Sequence, residues 1–336
     1  MRPFVVQWLV AAGIAAGTIP SSFIALASST ALLQPAAAVD GLLPGRRVLL
    51  DAHNAYPDRG RYADRLEVGL GTGLPVAIEQ DLAWCRGLNG GTLAPRVSHE
   101  TTCDGREPTL EEYFFARIAP VMDSALLAGP SPAWPLITLN LDFKTNEPEH
   151  HAAVWALLGK YQRWLTTAAK TVDGSVAPLV PGPLLVLTGS PDLQEQTFHT
   201  AVPAGERLRL FGAIHGVVAA DKTDPAPPRA TPATNYRRWW NHPCKVVERE
   251  GQPAAGPWTP EDAARLTAIV QDAHAHGLWI RFYTLNGLTG EHEGWTSSYN
   301  FGSRDAAAVR WRAAIDAGVD FVATDQYVDF ADLRRR

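Results

Sequence analysis

The stretch VAIEQDLAW, Val76 to Trp84, decides how this chain is read. Apolar residues open and close it, as in a strand buried on both faces. Glu79 and Asp81 are two positions apart, so on a strand their side chains leave from one face. A doubly covered sheet has no use for a carboxylate pair in its middle, because a buried charge needs a partner. The pair belongs where a strand ends and its face opens onto something that takes negative charge.

Similar apolar runs recur on either side. RRVLLDAHN precedes it; PLITLNLDFK, PLLVLTGS, LRLFGAIHG, LWIRFYTLNG and VDFVATDQY follow. A weaker run, CKVVER, completes a set of eight. Helical segments separate them. PTLEEYFFARIAPVMDSALLAG opens at Pro108 and Thr109 and closes at Gly129. EPEHHAAVWALLGKYQRWLTTAAK reads as a helix throughout. TPEDAARLTAIVQDAHAHG has Thr259 and Pro260 as cap and first turn, and SRDAAAVRWRAAIDAG closes at Gly318. Strands alternating with helices imply parallel βα units, and eight of them imply an α/β single domain of the TIM-type (β/α)8 barrel kind. A doubly wound open sheet is the runner-up, but no glycine-rich phosphate fingerprint follows the first strand. Asp221 to Trp258, rich in proline, reads as a long surface loop on the barrel.

The 336 residues are 46% hydrophobic and 19% charged, with a net charge of -5, which suits a globular core and gives no basic footprint for nucleic acid. The only basic run, Arg334 to Arg336, reads as a solvated tail. Between Arg2 and Asp40 there is no charge. Residues 1–38 therefore read as a secretory signal ending in the small-residue site Ala36 to Ala38, with an uncleaved membrane anchor as the alternative. The mature domain, 39–336, is expected to be secreted or periplasmic. Three cysteines fit an oxidising compartment loosely. A Cys85–Cys103 disulfide would tie the loop that carries His99; the alternative is three free thiols. No C-x-x-C spacing offers a cysteine zinc site.

Polar residues gather at the C-terminal ends of the strands, where barrel active sites sit. The first strand ends in His53 and Asn54, the second carries Glu79 and Asp81, and the third ends in Asp142 and Lys144. Three converging carboxylates resist joint ionisation unless a cation balances them, and an oxygen-only donor set suits Mg²⁺ or Ca²⁺. His53 and His99 bracket the set as an acid–base pair. With a divalent ion and Lys144 to neutralise phosphate oxygens, these residues make a kit for phosphodiester cleavage.

The order HN, then E-x-D, then a histidine followed by PTLEEYF, then LDFKT resembles the glycerophosphodiester phosphodiesterase and phosphatidylinositol phospholipase C superfamily. PTLEEYF is similar to the helix start after the second histidine in glycerophosphodiesterases. LDFKT is similar to the branch holding spider-venom phospholipase D and the fungal altered-inheritance-of-mitochondria proteins. HNAY resembles the first-histidine motif of eukaryotic phospholipase C, and AGVDFVATDQY the closing segment of glycerophosphodiesterases. The resemblance runs from about Arg47 to Phe330. It implies His53 and His99 as the catalytic pair, Glu79, Asp81 and Asp142 as metal carboxylates, and Lys144 facing the phosphate. Asn54 corresponds to a metal or phosphate contact in some branches only. It also implies attack on phosphorus by a neighbouring hydroxyl or by water. Two departures bear on the substrate: no R-G follows His53, and Glu100 follows His99 where aspartate is commoner.

Tyr283, Asn286 and His215 follow strand ends and are further substrate-contact candidates. His242, His274, His276 and His292 read as loop or helix-surface residues. Tyr236, Trp239, Trp240, Trp295 and Tyr299 read either as barrel packing or as a grip on a lipid surface or sugar. The expected substrate is a glycerophosphodiester or a phospholipid headgroup ester, with transient membrane-surface contact as a possible partner interaction. Two other classes stay open: a barrel glycoside hydrolase using Glu79 and another carboxylate, and a non-catalytic barrel that binds a phosphorylated ligand.

Overall fold

The computed structural model describes residues 40–58, 61–216, 226–248, 256–288 and 300–336. The expected signal segment 1–38 and His292, Trp295 and Tyr299 lie outside the described residues. The strands are β1 (Leu49–Ala52), β2 (Val76–Arg86), β3 (Leu93–Val97), β4 (Ile137–Phe143), β5 (Thr167–Ala169), β6 (Leu179–Val180), β7 (Leu184–Thr188), β8 (Arg207–Leu208), β9 (Phe211–Ala213), β10 (Arg237–Pro243), β11 (Trp279–Tyr283) and β12 (Phe321–Thr324). Eight of them form one parallel sheet in the order β1-β12-β11-β10-β9-β7-β4-β2, and β2 pairs back onto β1 to close it. This is the TIM-type barrel that the strand–helix alternation requires. β3 folds back antiparallel on the outer half of β2, and β6-β5-β8 form a small separate sheet.

Period-two alternation assigns each strand residue to a layer. On β2, Val76, Ile78 and Leu82 pack outward in the main core under the helices. Ala77 points inward with Leu49, Leu185, Leu187, Phe211, Trp239, Trp279 and Phe321 in a second cluster that fills the barrel. Leu42 joins this cluster from below, and its carbonyl accepts from Trp279 Nε1 at 2.9 Å. The packed interior leaves Glu79 and Asp81 at the top, on the side of the C-terminal strand ends.

The helices start where their caps put them. Thr259 and Asp262 form a reciprocal capping box at the head of Pro260–Ala275. Ser303 caps Arg304–Ala317, and Gly318 ends it at φ 79°, a left-handed conformation that glycine adopts freely. Thr109 and Glu112 exchange hydrogen bonds at the start of the turn Glu111–Phe115 that leads into Ala116–Ala128.

Five expectations are corrected. CKVVER is not a strand: Cys244–Val246 is a 3-10 turn. The sixth barrel strand is β10, inside the segment read as a surface loop. Its arginines hid it. Arg237 is buried because Asp192, Glu195 and the carbonyls of Ser190 and Ala213 satisfy its guanidinium. Arg238 donates to the carbonyls of Asn235 and Ala177. Trp239 fills the barrel interior and Trp240 the outer core, so these aromatics, with buried Tyr236, are packing residues. His242 is likewise buried in β10 rather than on a surface. The helix beginning at Pro148 ends at Lys160 instead of Lys170, and the β-branched pair Thr166 and Thr167 leads into β5. Arg334 and Arg335 are not a free tail: they donate to the carbonyls of Val48 and Thr72.

Candidate active site

Most of the sequence-derived residues meet around one open cavity of about 260 Å³ at the C-terminal mouth of the barrel. His53, Asn54, Glu79, Asp81, His99, Asp142, Lys144 and Tyr283 line it, together with Asn140, Trp239, Asn241 and Arg281. Strand register brings the acids together. Asp81 on β2 is directly paired with Asp142 on β4, and Glu79 with Asn140. One carboxylate oxygen each from Glu79, Asp81 and Asp142 lie within 4.8 Å of one another.

Each acid has a different environment. Glu79 is almost fully buried. Its Oε1 accepts from Arg281 Nη2 at 2.9 Å, and its Oε2 accepts from the Asn54 backbone N–H at 3.0 Å, with His53 Nε2 at 3.4 Å. Burial opposes its charge, but His53 and then Arg281 outweigh burial and lower its pKa to about 2. Asp81 goes the other way. Burial first, then Asp142 and Glu79, push it up to about 8 against the pull of Lys144. Asp142 stands half exposed at the rim. Lys144 Nζ bridges the last two, 2.8 Å from Asp81 Oδ2 and 2.7 Å from Asp142 Oδ2.

His53 is held from behind. Its Nδ1 is 2.8 Å from Asp325 Oδ1. A carboxylate only accepts, so Nδ1 carries the proton and Nε2 faces the cavity. The Asn54 amide then donates to Asp325 at 3.1 Å rather than to the ring. Burial works against a charged imidazole here, but Glu79 and Asp325 together raise its pKa to about 9. Asn54 has φ 56°, a left-handed conformation that asparagine tolerates, and this turn aims its N–H at Glu79. Its Oδ1 lies 2.6 Å from the Tyr56 hydroxyl, which is also 2.6 Å from Asp81 Oδ2. One hydroxyl proton serves one of them at a time.

His99 reaches the rim on the loop after β3. Ser98 N–H donates to the Asp81 carbonyl at 3.0 Å, which pins the loop to the strand bearing two of the acids. A Cys85–Cys103 disulfide closes the same loop. Partial desolvation, then the Lys144 charge, lower the His99 pKa.

The other candidates are placed as follows. Tyr283 lines the cavity with its ring 5.4 Å from the Arg281 guanidinium carbon. Asn286 is buried behind the cavity. It donates to Asp325 Oδ2 at 3.0 Å and accepts from the Asp325 N–H at 2.7 Å, so it braces Asp325. His215 is exposed, pairs with Asp192 at 3.1 Å, and is not part of the cavity wall.

Sequence reading missed Arg281, Asp325, Tyr56 and Asn140. Arg281 is buried between Asp51 and Glu79 and also donates to Asn241 at 3.1 Å. A lone charge inside the apolar run LWIRFY was the available signal, the same one that singled out Glu79 and Asp81. Asp325 directly follows β12 and was a strand-end acid like the others. Asn140 is 4% exposed, pairs with Glu79 in the strand register and lines the cavity.

These residues fit a hard divalent cation. Asp51, Glu79, Asp81, Asp142 and Asp325 face Arg281, Lys144 and the more distant Arg65, 3.9 Å from Asp325. After burial, Asp142 and Glu79 raise the Asp81 pKa, so the three acids resist ionising together unless a further cation balances them. An oxygen-only set of three carboxylates is what Mg²⁺ and Ca²⁺ select.

No protein-family model matches this chain, and no curated protein matches it. Solved structures do. A glycerophosphoryl diester phosphodiesterase from Parabacteroides distasonis aligns over 86% of this chain and 87% of its own, at 13% identity and TM-score 0.39. A calcium-dependent phosphoinositol-specific phospholipase C from a Gram-negative Pseudomonas sp. aligns over 88% and 96%, at 13% identity and TM-score 0.46. A glycerophosphodiester phosphodiesterase from Agrobacterium tumefaciens aligns over 86% and 99%, at 12% identity and TM-score 0.40. At this identity they are likenesses, and the chemistry of the site stands on its own residues.

Proposed function

We propose that this chain is a metal-dependent phosphodiesterase of the glycerophosphodiesterase and phosphatidylinositol phospholipase C superfamily. The observation that carries the reading is the meeting of three carboxylates, one lysine and two histidines around a single cavity at the barrel mouth. Glu79, Asp81 and Asp142 would hold one Mg²⁺ or Ca²⁺. A cation there supplies positive charge to the phosphoryl oxygens.

The protein's own groups do the rest. Without a cation, Glu79 and Asp325 keep His53 protonated; a cation balancing Glu79 would remove the larger of those two pulls. The neutral ring would then take the proton of the attacking hydroxyl or water through Nε2 while Asp325 stabilises the imidazolium that forms. His99, on the loop after β3, protonates the departing alkoxide once the bound phosphate offsets the Lys144 charge that lowers its pKa. Lys144 offers an ammonium to the phosphate. Arg281 and the Asn54 N–H fix Glu79 in place. Asn54 is not a metal ligand in this reading, because its amide oxygen faces Tyr56 and its amide nitrogen faces Asp325.

The substrate class is a glycerophosphodiester or a phospholipid headgroup ester. The uncharged N-terminal stretch and the Cys85–Cys103 disulfide support secretion or a periplasmic location; the N-terminal residue of the mature protein, found by mass spectrometry, tests this.

The roles of the histidines separate with two substrates. A nitrophenolate leaves without a proton, whereas an alkoxide needs one. His53→Ala should lower turnover of both bis-p-nitrophenyl phosphate and glycerophosphocholine by about 10²–10⁴-fold. His99→Ala should cost that much on glycerophosphocholine and far less on the aryl ester. Equal losses on both substrates would remove His99 from the acid role.

A further inference from the structure

We propose that Lys144 is a built-in counter-ion that occupies the cation's place among the carboxylates until cation and phosphodiester bind together. This rests on the metal-dependent reading above.

The geometry is direct. Lys144 Nζ sits 2.8 Å from Asp81 Oδ2 and 2.7 Å from Asp142 Oδ2. Those residues supply two of the three carboxylates whose oxygens lie within 4.8 Å of one another. An ammonium carries three donors and no acceptor, so it draws on the same two carboxylates that a cation needs. Mg²⁺ or Ca²⁺ binds carboxylate oxygens at about 2.0–2.6 Å. An ammonium held on those two acids repels a cation entering among them, so the two compete for the same negative charge.

Lys144 is free to leave. It lies just past the end of β4, its side chain is 20% exposed, and it lines the cavity. Its flexible stem lets the ammonium turn into the cavity, where a phosphodiester monoanion is the complementary charge. The other acids described at the site have their own partners: Glu79 is held by Arg281 and the Asn54 N–H, and Asp325 by His53, Asn54 and Asn286. Displaced without phosphate, the ammonium loses both carboxylates and gains only water. Displaced with phosphate present, it exchanges one anion for another. Cation and phosphodiester therefore bind with positive coupling, and the coupling is reciprocal. In the substrate-free protein Lys144 offsets part of the charge on Asp81 and Asp142 and keeps the cation affinity low.

The test is calorimetric titration of Mg²⁺ and of Ca²⁺ into the full chain, wild type, Lys144→Met and Lys144→Arg, with and without dimethyl phosphate. Lys144→Met should bind cation about tenfold more tightly than wild type, or better, and Lys144→Arg should stay close to wild type. Saturating dimethyl phosphate should tighten cation binding severalfold in wild type and clearly less in Lys144→Met, where only the direct attraction between cation and phosphate remains. The dimethyl phosphate comparison in wild type needs no variant. Equal cation affinity in wild type and Lys144→Met overturns the counter-ion role while the metal-dependent reading stands. A wild-type affinity indifferent to dimethyl phosphate overturns the coupling. Failure of both wild type and Lys144→Met to bind either ion removes the cation reading and this inference with it.

Discussion

Removing Arg281 should destabilise the whole barrel. Its guanidinium reaches from β11 to Asp51 on β1 and Glu79 on β2, and the three side chains are 3%, 1% and 5% exposed. Arg281→Met leaves two carboxylates buried without their shared counter-ion. Breaking a buried pair by deleting one partner costs about 3–5 kcal/mol. Asp51 shows how little slack exists: its Oδ1 has no partner, and burial raises its pKa even with Arg281 beside it. For a domain of this size, that loss lowers the melting temperature by about 6–10 °C. Thermal unfolding by circular dichroism at neutral pH measures it. Asp51→Asn in the same protein should restore part of the loss, because the two sites are coupled through one ion pair. Wild-type melting in Arg281→Met would refute the claim that this network holds Glu79 and the barrel wall together.

Further outcomes follow from other parts of the molecule. The Cys85–Cys103 crosslink closes a loop of sequence separation 18, so Cys85→Ser with Cys103→Ser should cost about 3 kcal/mol in urea unfolding. Activity should fall with it, since the loop carries His99; full activity in the double variant would show that the crosslink does not position His99. Asp325→Asn should lower turnover without unfolding the protein, as the ring of His53 loses its orienting carboxylate; unchanged kcat would dismiss that partnership. His150 and His242 are buried, and burial lowers both pKa values to about 4 from 6.5. Protons then bind the unfolded chain first, so stability is full above about pH 6.5 and is lost as pH falls toward 4, by about 2 kcal/mol per histidine at pH 5. Urea midpoints at pH 7 and pH 5 measure this, and His150→Asn with His242→Asn should flatten the difference.

The barrel was legible because seven strand segments alternate with capped helices, and their polar ends all fall on one side. The acids, both histidines and Lys144 were legible for the same reason: a charge at the end of an apolar run has to be doing chemistry or pairing. β10 was not legible. Its identity depends on Asp192, Glu195 and distant carbonyls satisfying Arg237 and Arg238, and no local pattern announces partners so far away. Arg281 and Asp325 stood in plain view but were passed over. An arginine inside a strand reads as a blemish until Asp51 and Glu79 are found beside it. Asn286 looked like a substrate contact, and its position in the chain could not reveal that its amide is spent on Asp325. Asn140 carried no signal at all, since an asparagine in ITLNLDF becomes notable only once the strand register sets it beside Glu79 on the cavity wall.

The central claim is that three carboxylates at this mouth hold a cation for phosphodiester cleavage. The most direct measurement is a phosphodiester panel, glycerophosphocholine and bis-p-nitrophenyl phosphate included, with products identified by phosphorus NMR, run with EDTA and then with Mg²⁺ or Ca²⁺ restored. The account predicts cleavage that stops in EDTA, returns with one of the two ions, and is abolished by Asp142→Asn. Undiminished cleavage in EDTA, or hydrolysis of aryl glycosides with every phosphodiester left intact, would contradict it.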